Sequence, residues 1–182
     1  SADEIKNLLD GQFEHLVNNP LVKSAVMGVE TLNREFKWVA AHGPKNLADE
    51  SVIPDTPIWI ASVTKLYLAS VIMKLFEEGR IDIEAPMSAY LPDELIKGIH
   101  HTADGTEHTE EITIKHLLNH SSGLPDYLEE SPAGEESLLD QILEGDDKEF
   151  SIEEAMDLLR NHIPAHFPPQ PFDSDKKKVQ YS

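Results

Sequence analysis

Ile58-Trp59-Ile60-Ala61-Ser62-Val63-Thr64-Lys65-Leu66-Tyr67-Leu68-Ala69-Ser70-Val71-Ile72-Met73-Lys74-Leu75-Phe76 is apolar on nearly every face. A helix of that kind belongs in the centre of a domain, and Glu78-Gly79-Arg80 supplies its C-terminal stop. Ser62 and Lys65 stand three residues apart, so on a helix they share a face one turn apart. Ser62 falls near the N-terminal end, where free backbone N–H groups and the positive end of the dipole can stabilise an oxyanion. A serine hydroxyl is a weak nucleophile until a base takes its proton. Lys65, desolvated inside such a helix, would have its pKa pushed down and could be that base. A buried lysine without a partner is costly, so its presence there needs a reason. The same spacing recurs at Ser174-Asp175-Lys176-Lys177, but that copy is polar all round and adjoins prolines, and no core helix would present it.

On the N-terminal side, Ile5, Leu8, Leu9, Phe13 and Leu16 recur at helical spacing within residues 1–19, and Asn18-Asn19-Pro20 ends that amphipathic helix. Ala25–Val29 and Phe36–Ala41 read as strands joined by the polar connector Glu30–Glu35, a hairpin closed by His42-Gly43-Pro44. A loop with Pro54 and Pro57 follows. On the C-terminal side, Ile112–His120 predicts a short helix with Thr113 as N-cap and Gly123 beyond its stop. Acids dominate from Asp126 to Asp157, with helices predicted around Ser137–Leu143 and Ile152–His162. A Pro-rich stretch, Pro164 to Pro171, leads to Lys176-Lys177-Lys178 and to Tyr181-Ser182.

Composition narrows the function. The 182 residues carry Lys+Arg 15 against Asp+Glu 34, a formal net charge of -19, which repels nucleic acid and anionic lipid. The absence of cysteine excludes disulfides, thiolate metal sites and a thiol nucleophile. No apolar run reaches the roughly 20 residues of a membrane span. His116 and His120 have metal-ligand spacing, with His100, His101 and His108 upstream. No Glu follows His116 in the zinc-protease pattern, so packing is the preferred reading and no metal or cofactor is implied. The acidic stretch lacks the alternating oxygen ligands and Gly of a calcium loop and reads as a solvated helix face.

Three segments together resemble the penicillin-recognising serine hydrolases: class C β-lactamases, D-alanyl-D-alanine carboxypeptidases and related esterases. They are Ile60-Ala61-Ser62-Val63-Thr64-Lys65, then Gly79–Pro86 with Tyr90-Leu91-Pro92, then Ile112–Tyr127, which is similar to the family's "iTirhLLtHtSGLpdy" segment. The resemblance spans about residues 20 to 182. It implies an α+β, β-lactamase/transpeptidase-like fold present in part. Residues 1–60 would supply the N-terminal helix and the hairpin of a central antiparallel sheet, and residues 61–182 the nucleophile helix and helical subdomain. The C-terminal strands would be missing. By resemblance Ser62, Lys65 and Tyr181 are the catalytic residues, Tyr181-Ser182 being the first two residues of the family's Tyr-x-Asn motif. The third motif, Lys-Thr-Gly or His-x-Gly, is absent, and Phe167-Pro168-Pro169-Gln170-Pro171 departs from the usual Pro-Gly approach to the tyrosine.

The implied activity is acyl-enzyme hydrolysis of a β-lactam, a D-Ala-D-Ala peptide or a small ester. The alternative is a catalytically silent module that binds cell-wall peptide or a protein partner. The implied partners are a small-molecule or peptide substrate and the C-terminal remainder of the same protein, without which this piece is expected to be inactive and to leave an apolar helix and a sheet edge open to aggregation. Most relatives act in the cell envelope, so a periplasmic or secreted location with the leader removed is expected, a cytoplasmic one being the alternative.

Overall fold

The computed structural model describes residues 1–46, 48–146, 149–171 and 178–181. The second Ser-x-x-Lys copy at 174–177, Lys148 and Ser182 lie outside the described residues. The chain forms two compact units, Ser1–Ala61 and Ser62–Ser182. Among the described residues no helix is long and apolar enough to cross a membrane.

In the first unit, α1 (Ala2–Val17) opens with a capping box in which Ser1 and Glu4 satisfy each other's backbone N–H groups. Strands β1 (Ala25–Glu30) and β2 (Lys37–His42) pair antiparallel, from Ala25 opposite His42 to Glu30 opposite Lys37. Thr31 closes the hairpin: its N–H donates to Phe36 O at 3.0 Å and its Oγ1 accepts from Phe36 N at 3.1 Å. Trp38 is the buried centre of this unit. Its indole N–H donates to Asp10 Oδ1 at 2.8 Å, and Phe13 meets its ring edge-on at 6.0 Å. An indole needs a partner for its N–H when buried, and Asp10 on α1 provides it.

Ala61, the last residue of the first unit, opens a tight turn, Ala61–Val63, that feeds α2 (Thr64–Glu77) of the second. Ile58–Ile60 are not helical, contrary to the periodicity reading. Ala61 has a φ of 43°, in the left-handed region that no helix interior accepts, so the helix starts after it. Short helices follow: α3 (Asp93–Ile96), α4 (Ile114–Leu118), α5 (Leu138–Leu143) and α6 (Ile152–Asp157), the last continued by a wide turn over Leu158–His162. Thr113, Ser137 and Ser151 cap α4, α5 and α6 by accepting from a backbone N–H three residues on. Residues 83–87 dock alongside 112–115 by backbone bonds from Met87 N to Ile112 O (2.8 Å), Ile114 N to Ala85 O (3.2 Å) and Lys115 N to Ile83 O (2.8 Å). The core is Met87, Ile96, Ile99, Ile112, Leu124 and Leu159.

No residue of α2 is buried. Leu66 is 67% exposed, Val71 55%, and Lys65 itself is exposed; the desolvation of Lys65 expected for a central helix is not seen within these residues, and the apolar helix is open as expected of this piece alone. Ala69, Ile72 and Leu75 are half-buried, but the apolar side chains Leu66, Leu68 and Val71 stay exposed.

Candidate active site

Ser62 lies on the turn before α2 and Lys65 in the helix's first turn. The N-cap position is Val63, which offers no side-chain acceptor, so no side chain caps the N–H groups of the first turn. That is the electropositive setting an oxyanion prefers.

Tyr181 reaches this turn from the other end of the unit. The Lys65 Nζ sits 4.8 Å from the centroid of the Tyr181 ring. The Tyr181 phenol is held below its ordinary value of 10.0, first by its hydrogen bond with the Ser62 side chain, then by that with Lys65 and by the lysine's charge; slight desolvation and the Asp126 carboxylate act the other way. The structure therefore brings the Lys65 amine over the Tyr181 phenol ring and sets Ser62 and Lys65 close enough to lower the phenol's pKa.

The backbone of 120–123 delivers Tyr181 to that place. His120 O accepts from Gln180 N at 2.9 Å, Ser121 O from Gln170 N at 2.9 Å and Gly123 O from His166 N at 2.9 Å. Ser122 O meets Nε2 of the buried His100 at 2.8 Å, so that nitrogen carries the proton. Ser121 and Ser122 are buried because their carbonyls form this rail. Gly123 has a φ of 83°, and a Cβ there would collide with the Phe167 carbonyl, so only glycine fits. Gln180 is held a second time by its side chain, which donates to Glu130 Oε1 at 3.3 Å; the same carboxylate accepts from Asp126 N at 2.8 Å and pairs with His166 Nε2 at 2.9 Å.

The two histidines with metal-ligand spacing part company. His116 Nδ1 accepts from Thr113 N at 3.1 Å, completing the cap of α4. His120 has a φ of 53° and stacks on Tyr181 with centroids 4.7 Å apart and planes at 26°. Burial holds both imidazoles below 6.5, and for His120 the charge of Lys65 adds to this. Among the described residues no three His, Asp or Glu side chains converge on a metal position. A cleft of ≈ 290 Å³ runs between α2 and α4, lined by Lys65, Leu68, Ile72, Leu117, Leu118 and His120 among others. Sequence reasoning weighed His120 only for metal binding against packing and did not single out Gln180 or Glu130 beside Tyr181; the one available signal was that His120 sits between a helix stop and Ser121-Ser122-Gly123.

A family model described as Beta-lactamase matches residues 25–175. Esterase EstB of Burkholderia gladioli is 35% identical over 168 residues, covering 88% of this chain and 39% of the esterase. Among solved structures, D-amino acid amidase from Ochrobactrum anthropi SV3 superposes with a TM-score of 0.61 at 21% identity, over 91% of this chain and 41% of that one. Simvastatin synthase from Aspergillus terreus superposes with a TM-score of 0.53 at 22% identity, over 90% and 43%. The two structures establish the α+β fold, of which the chain holds the two-stranded sheet and the helical part. The chain spans about two fifths of the lengths of these three relatives.

Proposed function

Because the chain belongs to the Beta-lactamase family, we propose that it carries the nucleophile and base of a serine acyl-transfer enzyme. Ser62 is the nucleophile; Lys65 and Tyr181 share its proton. The observation that carries this reading is the Lys65 amine 4.8 Å from the centroid of the Tyr181 ring, beside the turn that bears Ser62, and the lowering of the phenol's pKa by both side chains agrees with it. Ser62 Oγ attacks the carbonyl carbon of an ester or amide, and its proton passes to the Lys65/Tyr181 pair as the tetrahedral oxyanion forms. The Ser62 backbone N–H donates to that oxyanion. Collapse expels the alcohol or amine, which takes the proton back. Water or an acceptor alcohol then attacks the acyl-Ser62 carbonyl, the same pair removing its proton, and Ser62 Oγ leaves protonated.

Small esters, amides and β-lactams share this acyl carbonyl, and a relative named as an esterase and a neighbour named as an amidase support that substrate class. The exposed apolar face of α2 supports a second part of the reading: a further polypeptide segment covers α2 and completes the sheet and the oxyanion site.

A fluorophosphonate probe, read by peptide mass spectrometry on the whole protein, tests the assignment. Ser62 is expected to be modified stoichiometrically, and Ser62→Ala to abolish both labelling and nitrophenyl-ester hydrolysis. Labelling that survives Ser62→Ala would sink it.

A further inference from the structure

His120 holds both the backbone and the ring of the segment that bears Tyr181. Its carbonyl accepts from Gln180 N at 2.9 Å, one residue before the tyrosine. Its imidazole stacks on the phenol ring at 4.7 Å. Its φ of 53° sets the direction in which the ring leaves the end of α4, and histidine and asparagine are among the few residues that adopt this region readily. The Lys65 amine lies 4.8 Å from the centroid of the same phenol ring. The position of the Tyr181 ring is therefore shared between α2 and the end of α4. Tyr181, the last described residue, is itself exposed; beside the contacts with Ser62 and Lys65, the neighbouring Gln180 ties its segment down.

On the reading that Ser62, Lys65 and Tyr181 perform acyl transfer, we propose that His120 is a positioning residue: its ring fixes the phenol of Tyr181 against Ser62 and Lys65. His120 takes no proton from the substrate. It narrows the orientations of a ring that would otherwise turn about its side-chain bonds, and so keeps the phenol oxygen where Ser62 needs it. An error of about 1 Å in a proton acceptor can cost a hundredfold in rate. A stack of this kind suffices for a smaller part, about tenfold. This gives the histidine a role distinct from metal binding and from the capping done by His116.

The test uses the whole protein as wild type, His120→Asn and His120→Phe. Asparagine tolerates the left-handed backbone and removes the ring; phenylalanine restores a ring of similar shape, with backbone strain checked by thermal unfolding. In wild-type protein with isotope-labelled His and Tyr rings, a ring-to-ring nuclear Overhauser effect between His120 and Tyr181 is expected, with Tyr181→Phe as assignment control. For nitrophenyl-ester hydrolysis, His120→Asn is expected to lower kcat about tenfold with KM within about twofold, the signature of an interaction used only in the transition state. His120→Phe is expected to recover kcat to within about threefold of wild type, because stacking needs the ring and not its nitrogens. A missing Overhauser effect, full kcat in His120→Asn, or an equal loss in His120→Phe would each overturn the proposal. If Ser62 fails to acylate while the Overhauser effect is present, the acyl-transfer reading has failed and takes the positioning role with it, although the stack itself stands.

Discussion

Residues 82–171 and helix α2 belong to one compact unit, yet they treat their apolar side chains oppositely. The first region closes on itself: Ile112 is fully buried, Met87 and Ile96 nearly so, and polar groups at helix starts are capped. Helix α2 has the more apolar sequence and buries nothing completely. Hydrophobicity of a segment therefore reports what it must be covered by, not that its own unit supplies the cover. In 82–171 the covering elements are near neighbours in sequence and backbone bonds such as Met87 N to Ile112 O lock them together.

Two glycines sharpen the contrast most strongly. Gly123 and Gly79 both have positive φ, 83° and 67°. A methyl group at Gly123 would strike the Phe167 carbonyl, whereas nothing lies within 4 Å of the corresponding position at Gly79, past the end of α2. Gly123→Ala is expected to cost more than about 3 kcal/mol, combining backbone strain with a displaced 165–171 segment. Gly79→Ala should cost only about 1 kcal/mol, the left-handed penalty alone. Urea denaturation of both variants checks this. Equal losses would erase the distinction between the closed region and the open helix.

These two positions also mark how far the sequence was legible. The cap at Thr113 was readable because a capping residue and its N–H donor lie three residues apart, and Ser137 and Ser151 cap α5 and α6 in the same local way. The hairpin was readable because alternation and a polar connector are equally local. The start of α2 was misplaced because the left-handed Ala61 leaves no mark in hydrophobic periodicity. Its apolar sequence says that it needs cover, and its exposure in these residues was expected of this piece alone, because burial depends on what is packed above it. The pairing of Ser62 with Lys65 could be read from spacing, but Tyr181 came only through a family resemblance, and the stack by His120 came through neither. Contacts between distant segments are made by chain folding and carry no local period.

The buried histidine gives the next effect. His100 is fully buried, and desolvation, with the nearby His108 ring edge-on at 5.6 Å adding to it, keeps its pKa below 6.5, against the pull of Ser122 O. His116 and His120 shift in the same direction, also through burial. The folded state therefore binds fewer protons than the unfolded state below pH 6.5. The stability held at neutral pH is lost as pH falls from about 6.5 through the folded values. Melting temperatures between pH 7.5 and 5 should fall most steeply at the acid end, and His100→Gln should flatten the slope without abolishing it. A slope unchanged in His100→Gln would remove the closed region from the account of acid sensitivity.

The smallest expected effect bears most directly on the open helix. Leu66 is 67% exposed in this chain, and leucine and glutamine have similar helix propensities. In a chain of residues 1–182, Leu66→Gln should change stability by no more than about 0.5 kcal/mol, as exposed substitutions do, and should reduce self-association. In the whole protein, where a further segment is proposed to cover α2, the same change should cost about 2 kcal/mol, the transfer free energy of a leucine side chain that has been taken out of water. A loss of that size already in the chain of 1–182 would mean that the covering residues lie within it. A negligible loss in both would mean that α2 keeps an open apolar face, and the proposal of a covering segment would have to go.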